Sequence, residues 1–221
     1  MTTKILAVET ATRACSAALL WDGECREMLR LEPNRHAEIL IPMIRQLLAA
    51  GECRFDELDC LAFGSGPGSF TGLRIGISVV QGLALGLDIP VVPVSSLRAL
   101  AARIDAPRVL AAFDARMDQV YWNLYRHVPE RGMQALQEPQ VDDPASIRLP
   151  GDEYWLAAGS GCDEYGDRLL LEQREQVDFI PAVHPHAEDI ARIAKVEFES
   201  GRVMDARYVA PEYVRNRVVQ S

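Results

Sequence analysis

Apolar positions along the first hundred residues fall in short runs with turn residues between them. Lys4 to Glu9 is a nearly continuous apolar run and predicts a buried first strand. Ala14 to Leu20 predicts a second, closed by the turn Trp21-Asp22-Gly23. Glu24 to Leu31 alternates polar and apolar side chains, as a half-exposed strand does. With such short connections the three form an antiparallel meander. Pro33-Asn34 then opens a helix that runs to Ala50 and stops at Gly51. Its polar edge is confined to Arg35, Glu38, Arg45 and Gln46. Ile39, Leu40, Ile41, Met43, Ile44, Leu47 and Leu48 cover more than half of its circumference. One apolar face suffices for a helix lying on a sheet. The surplus predicts a second buried face, against its own domain or against a partner.

The run Leu58 to Phe63 predicts the next buried strand, and a glycine-rich loop follows it: Gly64-Ser65-Gly66-Pro67-Gly68-Ser69-Phe70-Thr71-Gly72-Leu73-Arg74-Ile75-Gly76. Its glycines demand unusual backbone angles or close backbone approach. It misses every phosphate or nucleophile template. No lysine follows Gly72, as a Walker loop requires. From Gly66 the third glycine comes one residue late for the dinucleotide fingerprint. Ser69 has Pro67 and Thr71 where a hydrolase elbow needs glycines. The loop therefore reads as a structural strand-to-helix turn built on Gly64, Gly66, Gly68 and Gly72, with Ser69 or Thr71 as the cap of a helix over 71–87. That helix holds Gly72, Gly76, Gly82 and Gly86, each costing roughly 1 kcal/mol against alanine. They predict close packing on more than one side, with Arg74, Ser78 and Gln81 as its polar stripe. Val91 to Val94 predicts a short strand, and Ser95 or Ser96 caps a helix to about Arg103.

Asp105-Ala106-Pro107 breaks the pattern and divides a first lobe, 1–105, from a second, smaller one, 106–221, whose tail from 205 returns to the first. The second lobe starts as the first does. Strands are predicted at 108–112, running into Phe113-Asp114-Ala115-Arg116, at 119–127, at 132–142, and at 154–158 before Gly159-Ser160-Gly161. Helices follow at about 162–171 and 186–200, and an extended tail at 210–215. Glu9 and Asp114 each stand at the end of a first strand. A tandem of this pattern predicts an α/β protein of two ribonuclease-H-like lobes, mixed sheets flanked by helices, as in the actin, Hsp70 and sugar-kinase superfamily. Fold analogy carries no function by itself.

Composition narrows the function. The chain has 221 residues, 48% of them hydrophobic, enough for a substantial core. With 23 basic against 32 acidic residues, a net charge of −9, it lacks the basic surface that a solitary nucleic-acid binder needs. The five cysteines, Cys15, Cys25, Cys53, Cys60 and Cys162, form no metal-ligand spacing and suit a reducing cytoplasm. Met1-Thr2-Thr3-Lys4 runs straight into a strand without a signal-peptide pattern, and Arg, Gln and Asp interrupt the longest apolar run, against a membrane span.

The glycine loop closely resembles that of the bacterial TsaB (YeaZ) family. So do Pro93-Val94-Ser95-Ser96-Leu97, Asp114-Ala115-Arg116-Met117, His36 with Pro42-Met43, and Pro211-Glu212-Tyr213-Val214-Arg215, in order and spacing. The resemblance implies a role in forming N6-threonylcarbamoyladenosine (t6A), the adenosine modification 3′ of the tRNA anticodon. It implies a non-catalytic scaffold of the paralogous transferase TsaD, a heterodimer with it, association with the ATPase TsaE, and contact with tRNA through the complex. Alone, such a chain is expected to pair with itself. The interface is expected on the two over-apolar helices: Ile39, Leu40, Met43, Ile44, Leu47, Arg74, Ser78 and Gln81. In TsaD a metal-binding H-x-x-x-H stands where this chain has Ser96 and Leu100. The four histidines here, His36, His127, His184 and His186, are too scattered to replace it, so no metal is expected. The actin-type phosphate turns are degenerate: Glu9-Thr10-Ala11-Thr12 and Asp114-Ala115-Arg116-Met117 both lack the glycine. Thr10, Asp114, Gly159 and Gly161 are the remnants of a nucleotide site. No intrinsic cofactor is expected, and ATP or ADP only weakly or at the interface with TsaD. The alternatives are a glycoprotease-like peptidase and an actin-fold ATPase or kinase.

Overall fold

The computed structural model describes residues 3–212 and 214; Met1, Thr2, Tyr213 and the segment from Arg215 onward lie outside the described residues. The first sheet contains β1 (Ile5–Glu9), β2 (Cys15–Trp21), β3 (Glu24–Arg30), β4 (Cys60–Gly66) and β5 (Val91–Ser95), in the order β3-β2-β1-β4-β5. β1, β2 and β3 form the antiparallel meander, and β4 and β5 continue it in parallel. Parallel strands need crossovers. These are α1 (His36–Ala50) and α2 (Phe70–Leu87). A further helix, α3 (Ser96–Ala102), leads out of the sheet.

The second sheet repeats this order. Its strands are β6 (Arg108–Arg116), β7 (Gln119–Val128), β8 (Gly132–Ala135), β9 (Gln140–Asp142), β10 (Trp155–Ala158) and β11 (Val177–Ile180), with the path β11-β10-β6-β7-β8. Three sequence expectations change here. The single strand expected at 132–142 is two, broken around Pro139, and both pair with β7. The helix expected at 162–171 is the short α4 (Ser160–Tyr165), ended by Gly166 and the left-handed Leu170, with a 3-10 stretch at Leu171–Gln176. β11 has no counterpart in the sequence reading. Where α1 crosses from β3 to β4, the second half has only a 3-10 turn, Pro144–Ser146, and the apolar side chains of Ile147 and Leu149 cover the sheet instead.

The two lobes exchange helices. α5 (Ala187–Glu199) follows β11 yet packs on the first sheet, with Ile190 and Ala194 against Ile5, Leu20 and Val92. α3 follows β5 yet places Leu97 and Leu100 against Val109, Phe113 and Tyr125 of the second sheet. Each sheet is thus covered on both faces, which suits strands that read as unbroken apolar runs. The 203–208 segment also returns to the first lobe. Met204 pairs with Val91 through N–H···O bonds of 2.8 and 2.9 Å, and Gln81 Nε2 donates to Ala206 O at 2.9 Å.

The turn from β6 to β7 is strained. Arg116, Met117 and Asp118 are all left-handed, with φ of 61°, 56° and 56°. Such a conformation costs about 1–2 kcal/mol for each non-glycine residue. Asp114 Oδ1 accepts from Arg116 N at 2.8 Å and from Tyr165 OH at 3.2 Å, and Arg168 grips Asp118 at 3.0 Å.

Candidate functional site

Two places compete as the functional site: the cleft where the phosphate turns would lie, and the outer face of α1 and α2. At the cleft, β1 ends in Glu9, which is fully buried. Its Oε1 accepts from Ala11 N and its Oε2 from Ser96 Oγ at 2.7 Å. Gly64 is pressed against it, since a Cβ there would stand 2.0 Å from Oε2. Burial pushes the Glu9 carboxyl above its usual range, only partly offset by the two hydrogen bonds. The carboxylate is therefore spent on internal bonds. Thr10 is equally buried, at 2% exposure, and its carbonyl fills the space over Gly72.

The glycine loop closes on this turn. Ser69 N donates to Ala11 O at 2.7 Å, and Gly68 has no room for a Cβ because Ala11 O would lie 2.4 Å away. Ser69 caps α2, its Oγ accepting from Gly72 N at 3.3 Å. Thr71 sits exposed in the first turn and is not the cap. Gly66, at φ +111°, lets the tail approach: Glu212 N donates to Ser65 O at 2.8 Å. Ser65 Oγ also donates to the Glu212 carboxylate at 3.3 Å, and burial raises that carboxyl. His36, at 5% exposure, bridges α1 to the same turn through Nε2, 3.0 Å from Thr12 O and 3.2 Å from Ala14 O. Two carbonyl partners require that nitrogen to carry the proton.

In the second lobe the corresponding residues are used in packing too. A Cβ on Gly159 would lie 2.3 Å from Ala112 O, and one on Gly161 3.0 Å from the Val120 side chain. Asp114 is tied to Arg116 and Tyr165, and its N–H donates to Ser160 Oγ at 3.1 Å. Among the described residues no group of three or more His, Cys, Asp or Glu could hold a metal ion.

The helix face differs from expectation residue by residue. Leu40, Met43, Ile44 and Leu47 are buried at 0–4% exposure in the first-lobe core. They face the chain's own sheet and offer nothing to a partner. The 3.6-residue period assigns them to one stripe, but the sequence does not say which stripe meets the sheet. Ile39 is half-buried against that core. Gln81 is turned to Ala206, while Arg74 and Ser78 are exposed. Arg74 lies over the Phe70 ring, 3.7 Å from its centroid. The apolar groups that do face outward are Ile41 on α1, 45% exposed, and Phe70 and Leu85 on α2, 56% and 53% exposed. Beside them Gly82 and Gly86 have open space above their backbones. Length and composition alone would let α2 pass for a membrane span, a test that the core helix of a folded domain also passes. Its inner face, Leu73, Ile77, Val80 and Ala84, packs into the core.

The twice-repeated strand order, with helices exchanged between two mixed sheets, defines a tandem ribonuclease-H-like protein of the actin and Hsp70 class. Residues 31–165 match the family described as TsaD, tRNA N6-adenosine threonylcarbamoyltransferase. The TsaB protein of Escherichia coli K12, named a tRNA threonylcarbamoyladenosine biosynthesis protein, is 36% identical, covering 97% of this chain and 96% of that one. The Haemophilus influenzae protein of the same name is 33% identical over 97% and 94% of the two chains. The solved structure of YeaZ from Pseudomonas aeruginosa superposes with a TM-score of 0.90 at 39% identity, covering 96% and 99%. The chain belongs to the TsaB (YeaZ) family.

Proposed function

We propose that this protein acts in t6A formation as a non-catalytic scaffold in the cytoplasm. It activates a TsaD-type transferase by docking through the outer faces of α1 and α2. The TsaE-type ATPase joins the assembly, and tRNA is engaged through the complex. One observation carries this reading above the others: beyond the stripe that α2 buries in the core, its large apolar side chains Phe70 and Leu85 stand 56% and 53% exposed. An apolar helix left that open calls for a partner. Its neighbour α1 adds Ile41, and the small residues Gly82 and Gly86 let a partner helix approach closely. The catalytic alternatives lack support of this kind, because Glu9, Ser96 and Gly64 close on one another where a substrate or phosphate would sit.

The test is reconstitution of t6A on tRNA with the threonylcarbamoyl-adenylate synthase, TsaD and TsaE, with and without this chain. Product should depend on its presence. Equal yield without it would refute the assignment.

A further inference from the structure

A cavity of about 480 Å³ lies between the two lobes, within the size range of small-molecule sites. Among the described residues, none of α1 or α2 lines it. Leu29 and Leu31, at the end of β3, wall it from the first lobe, and Leu156 and Ile180 from the second. Leu31 is 52% exposed and the other three are half-buried, so the apolar wall is incompletely covered. The 182–186 segment forms a further side. The chain is turned there by Ala182, left-handed at φ 57°, whose N–H donates to Asp163 Oδ1 at 3.0 Å. A non-glycine residue in that conformation costs about 1–2 kcal/mol, and such strain collects at ligand sites.

Two imidazoles line this cavity, and their surroundings give them opposite roles. His186 Nδ1 lies 2.7 Å from Glu27 Oε2. A carboxylate only accepts, so Nδ1 carries the proton and Nε2 of the neutral ring is an acceptor. His184 is the reverse. Its Nδ1 is sealed inside the protein with no hydrogen-bond partner. A buried N–H without an acceptor is rarer than a buried acceptor without a donor, so the proton lies on Nε2. Burial, helped by the nearby Arg13, pushes the His184 pKa below the ordinary histidine value and keeps the ring neutral. The cavity thus meets a donor on one ring and an acceptor on the other. Its charged groups make no comparable demand. Arg103 is paired with Asp189 at 3.0 Å, Arg13 and Asp163 act on His184 in opposite directions, and Asp105 is exposed to solvent.

We propose that this cavity binds a small uncharged ligand with an apolar body and an amide-like edge, its carbonyl accepting from His184 Nε2 and its N–H donating to His186 Nε2. The apolar body lies on the leucine and isoleucine wall, and the turn at Ala182 holds His184 beside it. A carboxylate has no donor for His186, and an amidinium has no acceptor for His184, so the pair of rings selects against both. The site is separate from the proposed docking faces, and its failure would leave that reading untouched.

The experiment titrates the intact chain with three ring compounds of one shape, benzamide, benzoate and benzamidine, at pH 8, above the ordinary titration range of histidine. The imidazole nitrogen resonances are read by NMR. Benzamide should shift those of both His184 and His186 saturably in the millimolar range, with benzoate and benzamidine at least about tenfold weaker. Leu31→Ser, at an exposed position, should weaken benzamide binding with the melting temperature unchanged. His184→Phe keeps a ring without its donor and should bring benzamide down to the level of benzoate. Equal shifts by all three compounds, no saturable shift by any, or benzamide binding unaltered in both variants would overturn the proposal. If His184→Phe does not fold, the three compounds on the parent and on Leu31→Ser still decide it.

Discussion

The Glu9 carboxylate and the Ser96 hydroxyl meet at 2.7 Å with neither side chain exposed to solvent. One ends the strand that carries an actin-type phosphate turn. The other stands where the resemblance places a metal-binding histidine in TsaD. Here each satisfies the other, and Gly64 seals the contact.

A pH signature follows from that contact. Burial raises the Glu9 carboxyl in the folded state. Below the ordinary carboxylate range both folded and unfolded chains hold the proton, and nothing is lost. As pH rises above that range the unfolded chain ionises freely while the folded one resists, so this group's contribution falls until pH passes its raised value. Glu9→Gln keeps both bonds, its oxygen accepting from Ala11 N and its amide donating to Ser96 Oγ. Urea denaturation should find the variant close to the parent at pH 4 and more stable at pH 8. A variant less stable at pH 8 would show that the ionised form is the favoured one.

The glycines of α2 should separate into two kinds. A Cβ on Gly72 would lie 2.1 Å from the Thr10 carbonyl, and neither backbone can yield cheaply. Gly72→Ala should destabilise by more than about 3 kcal/mol. At Gly82 nothing lies within 4 Å of an added Cβ. Gly82→Ala should gain about 1 kcal/mol of helix propensity, a rise of roughly 2–4 °C in melting temperature. Thermal melts of the two variants check both signs.

The β6–β7 turn offers a third test. Arg116 pairs with Gln119, so Met117-Asp118 is a two-residue hairpin loop with both residues left-handed. Asparagine-glycine is the pair that such a loop favours. Replacing Met117-Asp118 by Asn-Gly should stabilise the chain by about 1–2 kcal/mol, even though it removes the Arg168 contact to Asp118. A lower melting temperature would mean that this contact outweighs the strain.

Much of this architecture was legible because strands buried on both faces read as apolar runs, and because turn residues such as Asp22-Gly23 and Gly51 mark the ends of strands and helices. β11 escaped notice because Val177–Ile180 is only four residues long and contains Asp178. The exchange of α3 and α5 between lobes could not be read at all. Periodicity gives a helix its apolar face but not the sheet that face will meet. The same ambiguity put Leu40, Met43, Ile44 and Leu47 on an outer face, whereas they are buried in the core. A signal for the closed cleft was present, in the pairing of Glu9 with a glycine-flanked loop, yet the Ser96 contact spans 87 residues and appears only in three dimensions.

That ambiguity on α1 sets the most direct mutational comparison. Leu40 is 0% exposed and belongs to the core cluster with Leu6, Phe63 and Leu73, whereas its neighbour Ile41 is 45% exposed. An aspartate at Leu40 would bury an unpaired charge and unfold the lobe, costing more than about 4 kcal/mol. Lost co-purification in that variant would report misfolding and say nothing of docking. Ile41→Asp leaves the core untouched, so its stability should lie within about 1 kcal/mol of the parent. It nevertheless places a charge in the middle of the proposed helix contact. Pull-down with the TsaD-type partner, paired with melting of each variant alone, should show Ile41→Asp folded but unbound. A folded Ile41→Asp that still binds would move the interface off the α1 face altogether.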